Sequence, residues 1–484
     1  MRETPAPGDP AARRPAGAGE KWFVLGVVGV GTFMSALDGS VVNIAIPLIQ
    51  RHYGATIGDV SWVVTAYLLA ISSLLLAFGR LGDMWGYKGV YSAGYAVFGA
   101  GSLLSGLAPD LGALVAARAL QGVGASMLMA IAPALIATSF PAAERGRALG
   151  LQATLTYAGL TVGPSLGGWI AGRFGWHWVF LVGVPVSAAG GLLALAVLKD
   201  GGRRVRQRFD LPGAGLLAAG LTAILLALSR GETWGWRSPA VTVLLAGGGL
   251  LLALFVVQER RAADPMMPLW LLGRPAFAGG VAAAYLQYTV VFMLTFLLPF
   301  YLQGLRGLSP QQAGAVMTAQ PVAMVAVAAA SGWLSDRVGS RLPATAGMAA
   351  LGAGLWLMAR AGIQTSPGDL MARLGLVGLG SGLFTAPNNS AILGAAPRDR
   401  QGVASGLLAA ARNVGMVTGV ALAGSLFAFL RGRLLAAGAD PGGAFLAAFR
   451  ATVLVAVGLA AAGALLSLLR PDTEGDGRRG EARG

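Results

Sequence analysis

The stretch SALDGSVVNIAIP (residues 35–47) lies near the end of a long apolar run that begins at Trp22. This run has about the length that crosses a bilayer as one helix. It contains one carboxylic acid, Asp38. An ionised carboxylate in hydrocarbon is costly unless it is paired, protonated or reached by water. Asp38 is therefore predicted to be a functional residue of a membrane protein. The alternative is an acid held near a helix end for packing alone.

The composition of the whole chain is typical of a membrane protein. Of its 484 residues, 55% are hydrophobic and only 12% are charged, whereas soluble domains carry about 25% charged residues. The chain has no cysteine, which excludes disulfides, thiolate metal sites and cysteine nucleophiles. Its histidines and carboxylates form no pattern that is typical of a metal site or a catalytic group. We therefore expect no metal, no cofactor and no enzymatic activity.

The net charge of +15 could indicate a nucleic-acid-binding protein. However, the arginines are dispersed between the apolar runs, and no nucleic-acid-binding motif is present. The preference of membrane proteins for positive charge on the cytoplasmic side explains the charge better. We therefore expect a multi-pass protein of the cytoplasmic membrane of a bacterium, surrounded by lipid, monomeric and without a nucleic-acid partner.

Fourteen apolar segments are predicted to be membrane-spanning helices. Their approximate bounds are 22–46, 60–79, 89–107, 111–137, 147–171, 177–198, 212–229, 239–257, 276–302, 310–334, 342–361, 370–392, 402–430 and 446–468. Residues 1–21 are predicted to be a disordered cytoplasmic tail, and residues 469–484 a second cytoplasmic tail. An even number of spans puts both termini on one side of the membrane, and most lysines and arginines fall on that side. This bias predicts cytoplasmic termini.

Two echoes within the chain indicate an internal duplication. The sequence GRLGDMWGYK (residues 79–88) returns as GWLSDRVGSR (residues 332–341), 253 positions later. Three glycines of the fifth span return in the thirteenth span, 256 positions later. Two echoes at nearly one offset predict two related six-helix units with two extra helices between them. The predicted units are 22–198 and 274–468, with the insertion at 199–273.

Four motifs together resemble those of the major facilitator superfamily, and specifically its fourteen-helix drug:proton antiporters. They are LDGSVVNIAIP (residues 37–47), GRLGDMWGYK (79–88), RALQGVGA (118–125) and GLTVGPSLGG (159–168). The resemblance implies an all-α membrane protein with two six-helix bundles and two inserted helices. It also implies a proton-driven exporter of small amphiphilic molecules, with protons as the coupling ion.

The loop after the second span is predicted to act as a conformational latch. In the family that the chain resembles, this loop holds the two halves together when the transporter is open to the outside. The alternative is an ordinary polar turn, in which the glycines permit a tight backbone and the charges anchor the topology. The residues assigned to the latch are Gly79, Asp83, Gly86, Lys88 and, in the second repeat, Asp336.

The fifth span carries the motif that is typical of antiporters in this family. Glycines every four residues leave one stripe of the helix without side chains, which permits close contact with a neighbouring helix. Its proline lacks an amide donor and is predicted to bend the helix. The alternative is plain helix packing without a role in transport. The residues assigned to this motif are Gly159, Gly163, Pro164, Gly167 and Gly168.

Asp38 and Arg118 are predicted to couple transport to protons. They lie at similar depths, reached from opposite directions on two spans that line the central cavity in the family. A change in their separation would change how readily Asp38 holds a proton. The alternative is that the two residues lie on unconnected faces.

Other polar residues within the spans are candidates for a substrate path. Each one either lines the path or is satisfied between helices. The candidates are Tyr67, Gln121, Gln152, Tyr157, Gln287, Asn388 and Arg412. Arg412 is predicted to face water, a counter-ion or substrate, because a guanidinium does not neutralise itself.

The leading hypothesis is a proton-coupled antiporter that exports amphiphilic drugs or antibiotics. The alternatives are a proton-coupled importer of a small organic solute and a membrane sensor that does not transport. The antiporter motif argues against import, and the retained Asp38 and Arg118 argue against a sensor.

Overall fold

The computed structural model describes residues 19–199, 210–235, 237–261, 269–397 and 401–471, and all regular elements within these ranges are helical. The α-helices are α1 (Glu20–Tyr53), α2 (Ile57–Val60), α3 (Trp62–Trp85), α4 (Tyr87–Gly106), α5 (Leu111–Ser139), α6 (Ala142–Phe174), α7 (His177–Leu181), α8 (Gly183–Val197), α9 (Leu211–Trp234), α10 (Pro239–Arg261), α11 (Pro275–Pro299), α12 (Pro310–Val338), α13 (Arg341–Ala359), α14 (Pro367–Ala395), α15 (Gln401–Ala436) and α16 (Pro441–Leu469). A 3₁₀ turn (Leu269–Gly273) precedes α11, and a π-helical turn (Phe300–Leu305) follows it.

Eleven helices of the described residues are long and apolar enough to cross a membrane. The predicted number of fourteen spans is therefore not confirmed. Three of the predicted spans fall outside these eleven: α4, α6 and the segment Pro212–Leu228 of α9, which is a shorter apolar helix. Helix α4 is rich in glycine, serine and tyrosine, and α6 begins with charged residues, so both have low hydropathy for their length.

Helix α1 is longer at both ends than the first predicted span. It includes Glu20 and Lys21 of the predicted N-terminal tail, and these residues pair with Lys199 and Glu144, respectively, at 2.5 Å each. It continues to Tyr53, where Gly54 ends the helix in a left-handed conformation with φ of 60°. The rest of the predicted N-terminal tail, and most of the predicted C-terminal tail, lie outside the described residues.

Successive long helices run in opposite directions, so the bundle has two ends. We call the end where α1 begins and α16 ends the terminal end, and the other the distal end. At the distal end the Tyr53 hydroxyl donates to the Ala108 carbonyl at 2.8 Å, which ties α1 to the loop before α5. At the terminal end Arg470 donates to the Ser340 hydroxyl at 3.0 Å, which ties the end of α16 to the start of α13.

The duplicated sequence pattern corresponds to a duplicated helix packing. Gly86 and Gly339 occupy equivalent positions of the two loop motifs, and both adopt positive φ, 102° and 81°. In the first half, Gly159 of α6 packs against the Phe33 carbonyl of α1. In the second half, Gly415 of α15 packs in the same way against the Tyr285 carbonyl of α11. Helices α1–α8 and α11–α16 therefore contain related arrangements.

The two halves meet tightly where α6 crosses α12, toward the distal end. A Cβ added at Gly168 would collide with the Pro310 carbonyl oxygen, and one added at Gly314 would collide with the Pro164 carbonyl oxygen. The contact is thus reciprocal, since each helix offers a proline carbonyl and, four residues later, a glycine. Beside it, the hydroxyl oxygens of Ser165 and Thr318 lie 2.7 Å apart. We call these residues the distal crossing.

Further hydrogen bonds join the halves near the distal end of α1. The Gln303 amide donates to the Ile44 carbonyl at 2.8 Å, and Arg51 donates to the Gln303 carbonyl at 3.3 Å. Gln303 lies in the π-helical turn after α11. The halves are therefore joined at this end by backbone contacts and by hydrogen bonds.

Helix α9 of the predicted insertion contacts both halves. Its Arg230 forms an ion pair with Asp59 of α2 at 2.7 Å. On the other side, the Ser425 hydroxyl of α15 donates to the Leu228 carbonyl of α9. A largely apolar cavity of about 260 Å³ lies between α3, α9, α10, α11 and α15, with Ser72 and Tyr285 in its wall. The insertion therefore covers the side of the molecule where α3 and α15 meet.

Candidate functional site

Asp38 and Arg118 form a buried ion pair in the interior of the first half. An Arg118 Nη donates to Asp38 Oδ2 at 2.7 Å, and the two side chains are 1% and 8% exposed, respectively. The Gln121 amide nitrogen donates to Asp38 Oδ1 at 2.9 Å. Both carboxylate oxygens therefore accept a hydrogen bond, as a buried charge requires if it is not to be strongly destabilising.

The Arg118 guanidinium makes further contacts beyond the ion pair. Its Nε donates to the Val63 carbonyl at 3.0 Å, and its Cζ lies 4.1 Å from the centre of the Tyr67 ring, a cation–π contact. The Tyr67 hydroxyl donates to the Ser35 carbonyl of α1 at 3.1 Å. We call Asp38, Arg118, Gln121 and Tyr67 the Asp38 cluster.

The motif RALQGVGA explains how α5 brings its polar side chains to this position. Arg118 and Gln121 are three residues apart, so they lie on one face of the helix. A Cβ at Gly101 of α4 would lie 2.5 Å from the Gln121 nitrogen, and one at Gly122 would lie 2.5 Å from the Tyr67 carbonyl oxygen. Glycine at these two positions lets α4 and α3 approach α5 closely, which brings Tyr67 and Gln121 within reach of Asp38.

This geometry makes the ion pair depend on how two helices pack. Asp38 lies on α1, whereas Arg118 and Gln121 lie on α5, so a movement of one helix against the other would separate the carboxylate from both donors. Separation would leave the buried Arg118 charge without its counter-charge, which is costly. The Asp38 cluster therefore links the surroundings of this carboxylate to the relative position of α1 and α5.

A second group of polar residues lies between the halves. Arg412 of α15 lies with its Cζ 5.1 Å from the centre of the Tyr288 ring of α11. Tyr157 of α6, from the other half, lies near both of them. All three side chains are partly exposed, in contrast to the buried ion pair of the Asp38 cluster. We call these residues the Arg412 group.

The structure separates the seven candidates for a substrate path. Tyr67 and Gln121 are buried in the Asp38 cluster, and Tyr157 and Arg412 belong to the Arg412 group. Gln152 is partly exposed on α6. The remaining two, Gln287 and Asn388, are buried.

Asn388 is satisfied between helices and does not line an open path. Its amide donates to the Gly280 carbonyl at 3.0 Å, and its side-chain oxygen accepts from Arg470 at 2.9 Å. It therefore ties α14 to α11 and to the end of α16. Gln287 differs, because its buried side-chain oxygen has no hydrogen-bond partner among the described residues.

The glycines of the antiporter motif serve two different contacts. Gly159, Gly163 and Gly167 face α1, where a Cβ would meet Phe33, Ser40 or Val41. Gly168 faces the other half at the distal crossing. Helix α6 continues through Pro164 without an interruption. The motif thus allows both the packing within the first half and the contact between the halves.

The loop between α3 and α4 forms a tight turn. Asp83 Oδ1 accepts a hydrogen bond from the Tyr87 hydroxyl at 2.6 Å, within the same turn. Gly86 needs its positive φ, and a Cβ at Gly82 would collide with Ile131 of α5. Gly79 has open space around it, and Lys88 is partly exposed. In the second repeat Asp336 is exposed.

We expect Asp83→Asn to slow transport severalfold without loss of folded protein. Asparagine still accepts the bond from Tyr87 but lacks the charge that the predicted latch uses in the opposite conformation. Initial transport rates in vesicles, normalised to the amount of protein, measure the effect. The matched control is Asp369→Asn, at the exposed start of α14, for which we expect no change. An unchanged rate for Asp83→Asn would exclude Asp83 from the conformational cycle.

Sequence reasoning missed some members of these groups. Tyr288, beside Arg412, was not among the candidates. A tyrosine that directly follows the candidate Gln287 in the ninth predicted span is a detectable signal. Ser35 and Val63 contribute backbone carbonyls, which leave no trace in the side-chain pattern. Within the described ranges, no three histidine, aspartate or glutamate side chains could hold a metal ion together.

Comparisons with known proteins agree with this architecture. The model of the Major Facilitator Superfamily matches residues 28–288 and again residues 280–484. The chain is 36% identical to the riboflavin transporter RibZ of Clostridioides difficile, over 84% of this chain and 89% of RibZ. It is 34% identical to the multidrug resistance protein Stp of Mycobacterium tuberculosis, over 84% of this chain and 76% of Stp. It is 32% identical to the tetracenomycin C resistance and export protein of Streptomyces glaucescens, over 85% and 76% of the two chains.

The fold is also that of solved transporters. A bacterial homologue of the human lysosomal transporter Spinster superposes with a TM-score of 0.68 at 15% identity, over 94% of this chain and 98% of the homologue. At this identity the likeness concerns the fold alone. The family match covers nearly the whole chain, and several relatives are named as drug or antibiotic exporters. The chain therefore belongs to the Major Facilitator Superfamily.

Proposed function

We propose that this transporter is a proton-coupled antiporter that exports amphiphilic drugs or antibiotics across the cytoplasmic membrane of a bacterium. The observation that carries the proposal is the buried ion pair of Asp38 and Arg118. An acid in the interior of a transporter is a default candidate for a proton relay. Its counter-charge on a different helix makes proton uptake dependent on the relative position of α1 and α5.

The contacts at the distal end support a specific conformational state. The halves are joined by the distal crossing and by the hydrogen bonds of Gln303. If the termini lie in the cytoplasm, as the distribution of basic residues indicates, the distal end is the outer end. The structure would then correspond to a state that is closed to the outside. In the same state Asp38 is paired with Arg118, as expected after the proton has been released toward the cytoplasm.

The energetics of proton coupling are adequate for export. A proton that enters down a potential of about 100 mV releases about 2.3 kcal/mol, before any pH gradient is counted. The sequence contains no P-loop motif for a nucleotide. The names of the relatives Stp and the tetracenomycin exporter support drug or antibiotic export, whereas the name of RibZ leaves a flavin-like substrate open.

Inverted membrane vesicles with an acidic interior provide the test. We expect vesicles that contain the protein to accumulate dyes or antibiotics severalfold over vesicles without it. In this orientation an exporter moves its substrate from the medium into the vesicle. The panel should include rhodamine 123, fluorescein and ethidium. A protonophore, which collapses both the pH gradient and the membrane potential, should reduce the accumulation to the level of the control vesicles.

The alternatives predict different results in the same experiment. A proton-coupled importer would accumulate substrate in right-side-out vesicles and not in inverted ones. A sensor that does not transport would accumulate nothing in either orientation. Accumulation that is insensitive to the protonophore would exclude proton coupling but would leave export in place.

A further inference from the structure

The spanning region holds a positive charge that the mechanism above does not use. Arg412 is the twelfth residue of α15, about 16 Å along the helix axis from its start at about 1.5 Å per residue. It therefore lies inside the candidate membrane span Ala404–Ala436, away from both of its ends. A guanidinium keeps its charge in proteins, so at this depth it needs a partner or water.

Within the described part of the chain, Arg412 has no acidic partner. It takes part in no ion pair there, and its Nε is buried without a hydrogen-bond acceptor. The nearby groups are the rings and hydroxyls of Tyr288 and Tyr157. A buried donor without an acceptor is rare in a folded protein, so the site lacks a group that accepts hydrogen bonds.

Asp38, an acid at comparable depth, does not supply this acceptor. Asp38 accepts hydrogen bonds from Arg118 and Gln121 with both of its oxygens. Its negative charge is therefore balanced by Arg118. In the described ranges the remaining acids lie at or near helix ends, as Asp83, Asp110 and Asp369 do. No acid in the interior of the described helices is therefore left to balance the charge of Arg412.

The Arg412 group also has the position of a transport site. Tyr157 belongs to the first half, whereas Arg412 and Tyr288 belong to the second, so the group spans the interface that must rearrange during transport. Its three side chains are partly exposed, which gives a ligand access. Two phenol rings beside a guanidinium suit a flat aromatic molecule, because both ring faces and guanidinium faces stack on such molecules.

We propose that Arg412, Tyr157 and Tyr288 bind the carboxylate or phenolate of a planar aromatic anion, and that such anions are a substrate class of this transporter. The proposal rests on the proposed export function. The anionic oxygen supplies the acceptor that the buried Arg412 Nε lacks, and the tyrosine hydroxyls donate to the same group. The bound anion also balances the charge of Arg412.

Binding of two dyes with the same xanthene skeleton and opposite charge tests the proposal. The probes are fluorescein, an anion with a carboxylate and a phenolate, and rhodamine 123, a cation. Fluorescence anisotropy with purified full-length protein gives the affinity of each dye. We expect Arg412→Gln to weaken fluorescein binding about tenfold or more, the usual effect of removing a hydrogen bond to a charged group. Rhodamine 123 should bind the variant at least as well as the wild type.

Two further variants show whether weaker fluorescein binding by Arg412→Gln comes from the lost charge or from a loss of folding. Arg433→Gln removes the same charge from the exposed distal end of α15 and should leave both affinities unchanged. Arg412→Lys keeps the charge but loses the planar fork, and should retain part of the fluorescein affinity even where Arg412→Gln is unstable. Equal fluorescein affinity for the wild type and Arg412→Gln would overturn the proposal, as would a wild type that does not bind fluorescein.

Transport in inverted vesicles distinguishes this proposal from the proposed function. Export of rhodamine 123 without binding or export of fluorescein would refute the anion site and leave the exporter intact. Fluorescein binding that depends on Arg412, without proton-driven movement of any dye, would support the site and refute the proposed function.

Discussion

Replacing Asp38 by asparagine should abolish proton-driven transport and reduce dye accumulation in inverted vesicles to the background level. The amide has nearly the size of the carboxylate but does not bind and release a proton, so it does not carry one across the membrane. Some substrate binding should remain, because the Arg412 group is separate from the Asp38 cluster. The decisive measurement is the release of protons when substrate is added to purified protein, with the wild type compared to Asp38→Asn.

A matched control is available elsewhere in the chain. Asp369 and Arg373 form an ion pair with the same N–O distance of 2.7 Å, but Asp369 is 46% exposed at the start of α14. Asp369→Asn makes the same chemical change outside the interior and should leave proton release intact. Equal proton release from the wild type and Asp38→Asn would refute the assignment of Asp38 as the proton carrier.

Loss of folding is the competing explanation for an inactive Asp38→Asn. The substitution leaves the Arg118 charge buried without its counter-charge, and breaking a buried pair in this way costs about 3–5 kcal/mol. Thermal unfolding of the purified variant measures this cost directly. Asp38→Glu keeps the charge and should retain part of the transport. If the role of Asp38 were purely structural, the transport rate of each variant would follow its stability alone.

The position of the ion pair could be estimated from the sequence, but its surroundings could not. Depth along a helix follows from counting residues at a fixed rise, so similar depths for Asp38 and Arg118 could be predicted. Which side chains surround the pair depends on the rotation of each helix and on how closely its neighbours approach. Here that approach is set by Gly101 and Gly122, whose contacts on α5 and α3 are invisible in a hydropathy pattern.

Mean hydropathy is lowered in helices whose polar groups are satisfied by their neighbours. Tyr91 and Tyr95 of α4 are fully buried, and their hydroxyls donate to the Val28 and Val27 carbonyls of α1 at 3.2 and 2.8 Å. Such residues lower the mean hydropathy of α4 although they are not exposed to lipid. The same principle explains Asn388, which was predicted as a possible path residue and is used to join three helices. A polar residue in a span is ambiguous until its partners are known.

A disulfide across the distal crossing should stop transport, and reduction should restore it. The chain has no cysteine, so Ser165→Cys combined with Thr318→Cys introduces a single pair of thiols. The two hydroxyl oxygens lie 2.7 Å apart on α6 and α12, so the replacing sulfur atoms can reach each other with little movement of the backbone. The expected result is transport at the background level after oxidation and recovery after dithiothreitol, measured with the same dyes in vesicles.

The reason for this large effect lies in the backbone contacts around the pair. At Gly168 and Gly314 the two helices touch through carbonyl oxygens and glycines, so the halves cannot come closer there and can only separate. Alternating access requires this separation once in each cycle. Each single-cysteine variant should transport at the wild-type rate under oxidising conditions, which excludes an effect of the substitutions or of the oxidant. If the cross-linked protein transports at that rate too, the distal crossing does not open during the cycle, and the substrate must leave by another route.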